Sequence, residues 1–278
     1  MKHETYEKYL AHDVELPQRA LLTAWDCLNN YHDDLVLAGG LAIKFLTAPP
    51  EGSLPGPVTL DVDFCIHITA TSGQYGNIKT TLSGHGFDWD TPQRRFVRKY
   101  ETMDLYIDLI TDDGKSTSGS VIVDDGLPVS ALPGVGRALE RCRVVEISGK
   151  TLVGAESIQC IKIAEVGPML ALKLNAFGGP TGRKAPKDAH DILYLAMNYL
   201  DGVEAAIADY HAEREAGKKA LPLADQALRD YFLEVEGEAA LACASFRLGD
   251  NHRSVDFEGE SLVMRNQLVT LAHALLPK

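Results

Sequence analysis

The chain has 278 residues, a length that fits one enlarged domain or two modest ones with a sizeable core. Hydrophobic residues make up 45%, and Gly and Pro are at ordinary levels, which excludes a disordered or fibrous protein. A formal net charge of −12 argues against nonspecific attraction to nucleic acid over most of the surface.

No apolar run approaches the roughly 20 residues that span a bilayer, so no membrane partner is expected. The charged start, Met1 to Glu7, lacks the apolar core of a signal peptide. Cys27, Cys65, Cys142, Cys160 and Cys243 are scattered, odd in number and free of C-x-x-C spacing. That usage suits a reducing, cytoplasmic setting. Basic residues cluster at Arg94 to Lys99, at Arg137 to Arg143, and at Arg183-Lys184 with Lys187.

In chain order, Pro17 to Tyr31 carries Leu21, Leu22, Trp25 and Leu28 on one apolar stripe and reads as a helix. Leu35 to Ala38 is a short buried strand. Gly39-Gly40 then makes a tight turn into a helix over Leu41 to Leu46. Ala48 to Pro57 holds Pro49, Pro50, Gly52, Pro55 and Gly56, and so is a loop. From Val58 to Ile68 the pattern alternates. Leu60, Val62, Phe64, Ile66 and Ile68 take one face, with Thr59, Asp61, Asp63, Cys65 and His67 on the other, as in a strand with one face in the core.

A helix is expected over Tyr75 to Ser83, then strands over Phe96 to Tyr100 and Asp104 to Thr111. In the second of these, Asp104, Tyr106 and Asp108 oppose Leu105, Ile107 and Leu109. Val121 to Val123 and Val144 to Ile147 are further short strands. Helices are expected over Ser157 to Val166, Pro168 to Phe177, Asp188 to Leu200 and Leu223 to Phe246. The fold class is therefore α/β (α+β) to about residue 150, and the family resemblance given below implies a mixed sheet flanked by helices there. A helical C-terminal part follows over 151–278.

Asp61-Val62-Asp63 is the most informative feature. The two carboxylates leave one strand on one face, roughly 6–7 Å apart along the chain. Asp is a poor strand former, and like charges this close repel unless protons or a cation neutralise them. Such a breach of local preference is where a functional site is expected, and paired carboxylates suit a hard divalent cation, Mg2+ or Mn2+. An exposed polar face is the competing explanation for the motif taken alone.

Upstream, Gly39 and Gly40 end a buried strand and open a helix, where backbone N–H groups can meet phosphate. An ordinary strand-to-helix turn would look the same. Downstream, Asp108 supplies a third carboxylate if its strand neighbours the first, with Asp104 ranked second.

In the C-terminal half, Lys173 interrupts an apolar helical run and needs solvent or an anionic partner. Gly178 to Lys184 is a basic loop that either folds over phosphates or simply joins two helices. Asp188 fits a helix-dipole or capping residue, whereas Asp191 lies a turn further in, where capping does not explain it. The histidines show no metal-binding spacing and read as non-catalytic.

The ordered set resembles the nucleotidyltransferase superfamily: strand, Gly39-Gly40, helix, then Asp61-Val62-Asp63, then Asp108. The runs Leu37 to Ala42 and Leu60 to Phe64 look most like abortive-infection toxins of the AbiEii type. So do Leu170 to Phe177 and the segment from Arg183 through Lys187-Asp188 to Asp191. The likeness covers about residues 35 to 200.

It implies that Gly39 and Gly40 cradle the nucleotide phosphates and that Asp61 and Asp63 bind metal. Asp108 would be third ligand or general base. Lys173 would contact the triphosphate with Arg183 and Lys187 nearby, and Asp191 would complete the site from the helical half.

The activity implied is transfer of a nucleoside monophosphate from an NTP to a hydroxyl, with tRNA or another macromolecule favoured as acceptor. A cognate antitoxin would be a partner. Two departures are Leu41, where a Ser or Thr hydroxyl is common, and the long Ala48 to Pro57 segment. A small-molecule acceptor of the antibiotic type and a non-catalytic binding protein of the same fold are the alternatives.

Overall fold

The computed structural model describes residues 5–10, 15–51, 56, 59–67, 78–101, 103–114, 119–123, 127–179, 182–216 and 220–277. The chain falls into two compact units. One holds residues 13–45 and 59–165, the other residues 1–12, 46–58 and 166–278. The first is built on a mixed sheet with helices packed against it, and the second is helical, as the hydrophobic pattern predicts.

In chain order the elements are α1 (Tyr6–Leu10), α2 (Leu16–Cys27), β1 (Leu35–Ala38), α3 (Gly39–Leu46), β2 (Asp61–Ile66), α4 (Ile78–Gly84), β3 (Asp88–Asp90), β4 (Arg95–Tyr100), β5 (Met103–Thr111), β6 (Gly119–Val123), β7 (Leu127–Ala131), α5 (Val135–Glu140), β8 (Cys142–Lys150) and β9 (Glu156–Ala164). The helical unit adds α6 (Val166–Gly178), α7 (Pro186–Met197), α8 (Val203–Glu215), α9 (Ala220–Tyr231), α10 (Glu238–Leu248) and α11 (Glu258–Leu275).

Among the described residues the sheet runs in the order β3-β4-β5-β2-β1-β9-β8, with β7 joining β5 and β6 pairing β7. All four residues of β1 are buried, as befits a strand lying between β2 and β9. On β2, Val62, Phe64 and Ile66 are fully buried. Trp25 of α2 meets Phe64 with ring centroids 6.0 Å apart, so α2 covers that face.

Polar contacts fix the same helix. Gln18 Nε2 donates to the Ser148 carbonyl and Arg19 Nε to that of Thr151. The Leu152 N–H donates to the Thr23 hydroxyl oxygen at 2.8 Å. That hydroxyl in turn donates to the Arg19 carbonyl, so the β8–β9 turn is tied to α2 through side chains.

Two expected helices are corrected. Ser157 to Ala164, most of the expected Ser157 to Val166 helix, belongs to strand β9, paired with β8 from Cys142↔Ala164 to Lys150↔Glu156. The spacing of Ile158 and Ile161 imitates a helical stripe. Ile161 and Ile163 are buried on one side while Ile158 is exposed, which is the alternation of a strand. The unit that holds the sheet therefore extends to Glu165, beyond residue 150.

Leu223 to Phe246 is not one helix either. It breaks between α9 and α10, where Gly237 becomes the N-cap of α10 and a Cβ at that glycine would lie 2.8 Å from the Glu234 carbonyl. The hydrophobic pattern predicts no element at β3, β7, α1, α5, α8 or α11. The strand expected from Val58 to Ile68 is described from Asp61 to Ile66. Val58, Ile68 and residues 75–77 of the expected Tyr75 to Ser83 helix lie outside the described residues.

Within the helical unit, α6 is central and packs on α7, α8 and α9. Phe177 meets Phe232 edge-on at 5.0 Å. A Cβ at Gly178 would lie 2.7 Å from Ala227 Cβ, so the α6–α9 approach depends on a bare backbone there. Among the described residues no helix is long and apolar enough to cross a membrane.

Candidate functional site

The sheet register assembles the predicted carboxylates. β2 and β5 are parallel, with Asp61↔Tyr106, Val62↔Ile107 and Asp63↔Asp108 as partners. Register partners in a parallel pair project to the same face, about 4.8 Å apart in the pairing direction. Asp61, Asp63 and Asp108 therefore share the face opposite the α2-covered core.

Beside them runs β1, whose last residue, Ala38, pairs with Asp63. The next residue, Gly39, has φ +70° and opens α3. A Cβ there would lie 1.8 Å from Asp63 Oδ2. The glycine bend and the carboxylate thus occupy the same small volume, and only an absent side chain permits it. Gly40 is buried in the first turn of α3, followed by the buried Leu41.

A residue not singled out from the sequence completes this group. Arg95, the first residue of β4, donates Nε to Asp108 Oδ1 at 2.9 Å and Nη2 to Asp108 Oδ2. Its Nη2 also lies 3.3 Å from Asp61 Oδ1, and the guanidinium carbon stands 4.2 Å above the Tyr106 ring. Asp63 has no hydrogen-bond or ion-pair partner among the described residues.

Burial opposes the Arg95 charge, but the Asp108 hydrogen bond and the charges of Asp61, Asp108 and Asp63 outweigh it and hold the guanidinium protonated. The Asp108 carboxyl is pushed up to about 6, first by burial and then by the neighbouring Asp63 charge, with Arg95 pulling the other way. The sequence did carry a signal for Arg95. Starting β4 one residue earlier than Phe96 puts Arg95 on the side of Val97, which pairs with Tyr106 on the carboxylate face.

The donor set suits a hard divalent cation, because three carboxylates meet on one face and one of them lacks a partner. Among the described residues no three acidic, His or Cys side chains stand at metal-holding distances as they are, since Asp61 and Asp108 turn toward Arg95.

The other predicted residues meet in the helical unit. Lys173 of α6 is buried, with Nζ 2.7 Å from Asp191 Oδ2 and 3.3 Å from Asp188 Oδ1. Lys187 reaches Asp191 Oδ2 at 2.6 Å. Arg183 grips Asp188 with both Nε and Nη2, at 2.7 and 2.9 Å.

Asp188 is therefore not a side-chain cap. The α7 N-cap is Ala185, and Asp188 is a buried acceptor for two cations that also sits in the favourable first turn of its helix. Burial works against the Lys173 charge, but Asp191 and Asp188 override it and keep the amine charged. Asp191, despite burial, is held well below the usual carboxylate range by Lys173 and Lys187. Among the described residues its Oδ1 has no hydrogen-bond partner, and it lies 4.0 Å from His190 Nδ1, which also lacks one there.

A search of protein-family models gives no match to this chain, and no curated protein sequence matches it.

Proposed function

We propose that the chain is a metal-dependent nucleotidyltransferase that transfers a nucleoside monophosphate from an NTP to an acceptor hydroxyl, breaking the α–β phosphoanhydride bond and releasing pyrophosphate. One observation carries the reading. The β2–β5 register sets Asp61, Asp63 and Asp108 on one face, and Asp63 is pressed against a positive-φ glycine at the start of a helix. Three acids on one face repel one another unless cations neutralise them, Arg95 pairs with only two of the three, and triphosphate chemistry uses such a set.

In this reading Asp61, Asp63 and Asp108 hold Mg2+ or Mn2+, which when bound supplies positive charge for the triphosphate. Gly39 and Gly40 bring bare backbone, and the start of α3 adds N–H groups suited to phosphate. Asp108 would serve either as the third of these ligands or, left free of the cation, as the general base for the attacking hydroxyl. Transfer then rests on positioning and charge neutralisation more than on covalent chemistry by the protein. The resemblance seen in the sequence favours an RNA acceptor, tRNA first, and a toxin role with a cognate antitoxin.

The test is incubation of the protein with each labelled NTP and total RNA, in parallel with Asp63→Ala. Label should pass to RNA with the wild type and fall at least about a hundredfold in the variant, as when an electrostatic element of an active site is removed. Equal labelling by both would overturn the site.

One observation favours a second reading. Arg95 already neutralises two of the three carboxylates, and Leu41 offers no hydroxyl beside the glycines, as in a non-catalytic binding protein of this fold. Calorimetry with NTP and Mn2+ separates the two, because only the enzyme reading requires nucleotide binding that depends on the metal.

A further inference from the structure

Arg95 sits where cationic charge is most needed, yet it belongs to a strand end and not to the sheet interior. The turn before it, residues 91–94, is exposed throughout. That turn is set by Asp90, which accepts the Arg94 N–H at its carbonyl and the Gln93 N–H at Oδ1. Arg94 takes φ 55° to close the bend. On the next residue Phe96 is fully buried, so the backbone under Arg95 is anchored while its side chain lies at the rim of the packed region.

The charges are unequal. Three acids face one arginine, and the one without a partner is Asp63. A divalent cation drawn to Asp63 and its neighbours would stand beside the guanidinium, and like charges in such a place repel. The planar fork that now holds Asp108 in two-pronged fashion fits phosphate oxygens equally well. Tyr106 beneath it provides a ring face over which the guanidinium can stay or slide.

From this geometry, and resting on the nucleotidyltransferase reading, we propose that Arg95 is the site's phosphate-binding cation. In the nucleotide-free protein it takes the place of metal at Asp61 and Asp108. When a metal–triphosphate arrives, it passes from carboxylate to phosphate oxygens. The site is then biased against bare metal and toward metal that carries a triphosphate.

The test compares wild type with Arg95→Met and Arg95→Lys, using circular dichroism to verify folding. Mn2+ affinity is read by electron paramagnetic resonance, alone and with a non-hydrolysable NTP analogue. Arg95→Met should bind bare Mn2+ about tenfold more tightly and the Mn2+–analogue about tenfold more weakly, the scale of one charged hydrogen bond in each direction. Arg95→Lys keeps the charge without the fork and should lie between. It also serves as the test if Arg95→Met does not fold.

Bare Mn2+ binding that is unchanged or weaker in the folded variants, while still abolished by Asp63→Ala, would overturn the role of Arg95 alone. Absence of saturable Mn2+ binding in every protein, with and without the analogue, would overturn the metal-site reading beneath it.

Discussion

Gly39 answers to two demands at once, a left-handed backbone and a carboxylate lodged in the space of its missing side chain. Gly39→Ala should therefore cost about 1–3 kcal/mol in stability from the backbone alone. It should also push Asp63 from its position and weaken Mn2+ binding. Urea unfolding and Mn2+ titration measure the two effects, and a variant with normal Mn2+ affinity would show that the contact does not matter to the site.

His190 carries a different residue-scale prediction. Burial lowers its pKa below the unfolded value of about 6.5, with Asp191 only partly opposing it. Below that pH the unfolded chain binds a proton that the folded chain resists. The contribution to stability is present above about 6.5 and is lost as the pH falls, at up to about 1.4 kcal/mol per pH unit. His190→Gln should flatten the difference in urea midpoint between pH 5.5 and 7.5. A variant as steep as wild type would assign that dependence to other groups.

Among the elements, α2 shows how the sheet is fastened. The Thr23 hydroxyl both donates to the Arg19 carbonyl and accepts from the Leu152 N–H, in a buried setting. Thr23→Val keeps the shape and leaves that N–H unpaired, so a loss of about 1–3 kcal/mol is expected in chemical denaturation. A loss below about 0.5 kcal/mol would mean that water replaces the hydroxyl.

Elements with clean alternation were legible in the sequence. β2 and β5 show their buried faces directly, and the carboxylates follow from the same parity. β9 was not legible, because Ile158 and Ile161 are three apart and the strand's true face only emerges once β8 pairs with it. The α9–α10 break rests on Gly237 alone, a signal that a long amphipathic stretch overrides. Arg95 was hidden for a different reason. It lies within a run of four basic residues in six, which reads as a solvated surface until the strand start is fixed.

At the scale of the whole molecule, the net charge of −12 meets the question of an RNA acceptor. The basic runs are largely engaged within the protein. Arg98 donates to the His85 carbonyl, Arg137 and Arg143 pair with Glu140 and Glu165, and Lys184 pairs with Glu238. Cations already paired in this way contribute less to replacing condensed counterions on RNA. The logarithm of RNA affinity should therefore fall with log salt at a slope no steeper than about −2, equal to about three phosphate contacts on a single strand. Filter binding from low to moderate salt checks it, and a slope near −5 would reveal a basic surface assembled in another way.

The pairing of Asp63 with Asp108 makes the chemistry vulnerable to changes of length, not only of composition. One alanine inserted between Met103 and Ile107 would rotate that acid to the oily side of the sheet and deliver Ile107 in its stead, so under the proposed function a single codon gained there should abolish label transfer from NTP as thoroughly as losing the aspartate itself. The same codon added in the exposed bend at residues 91–94 leaves that parity untouched.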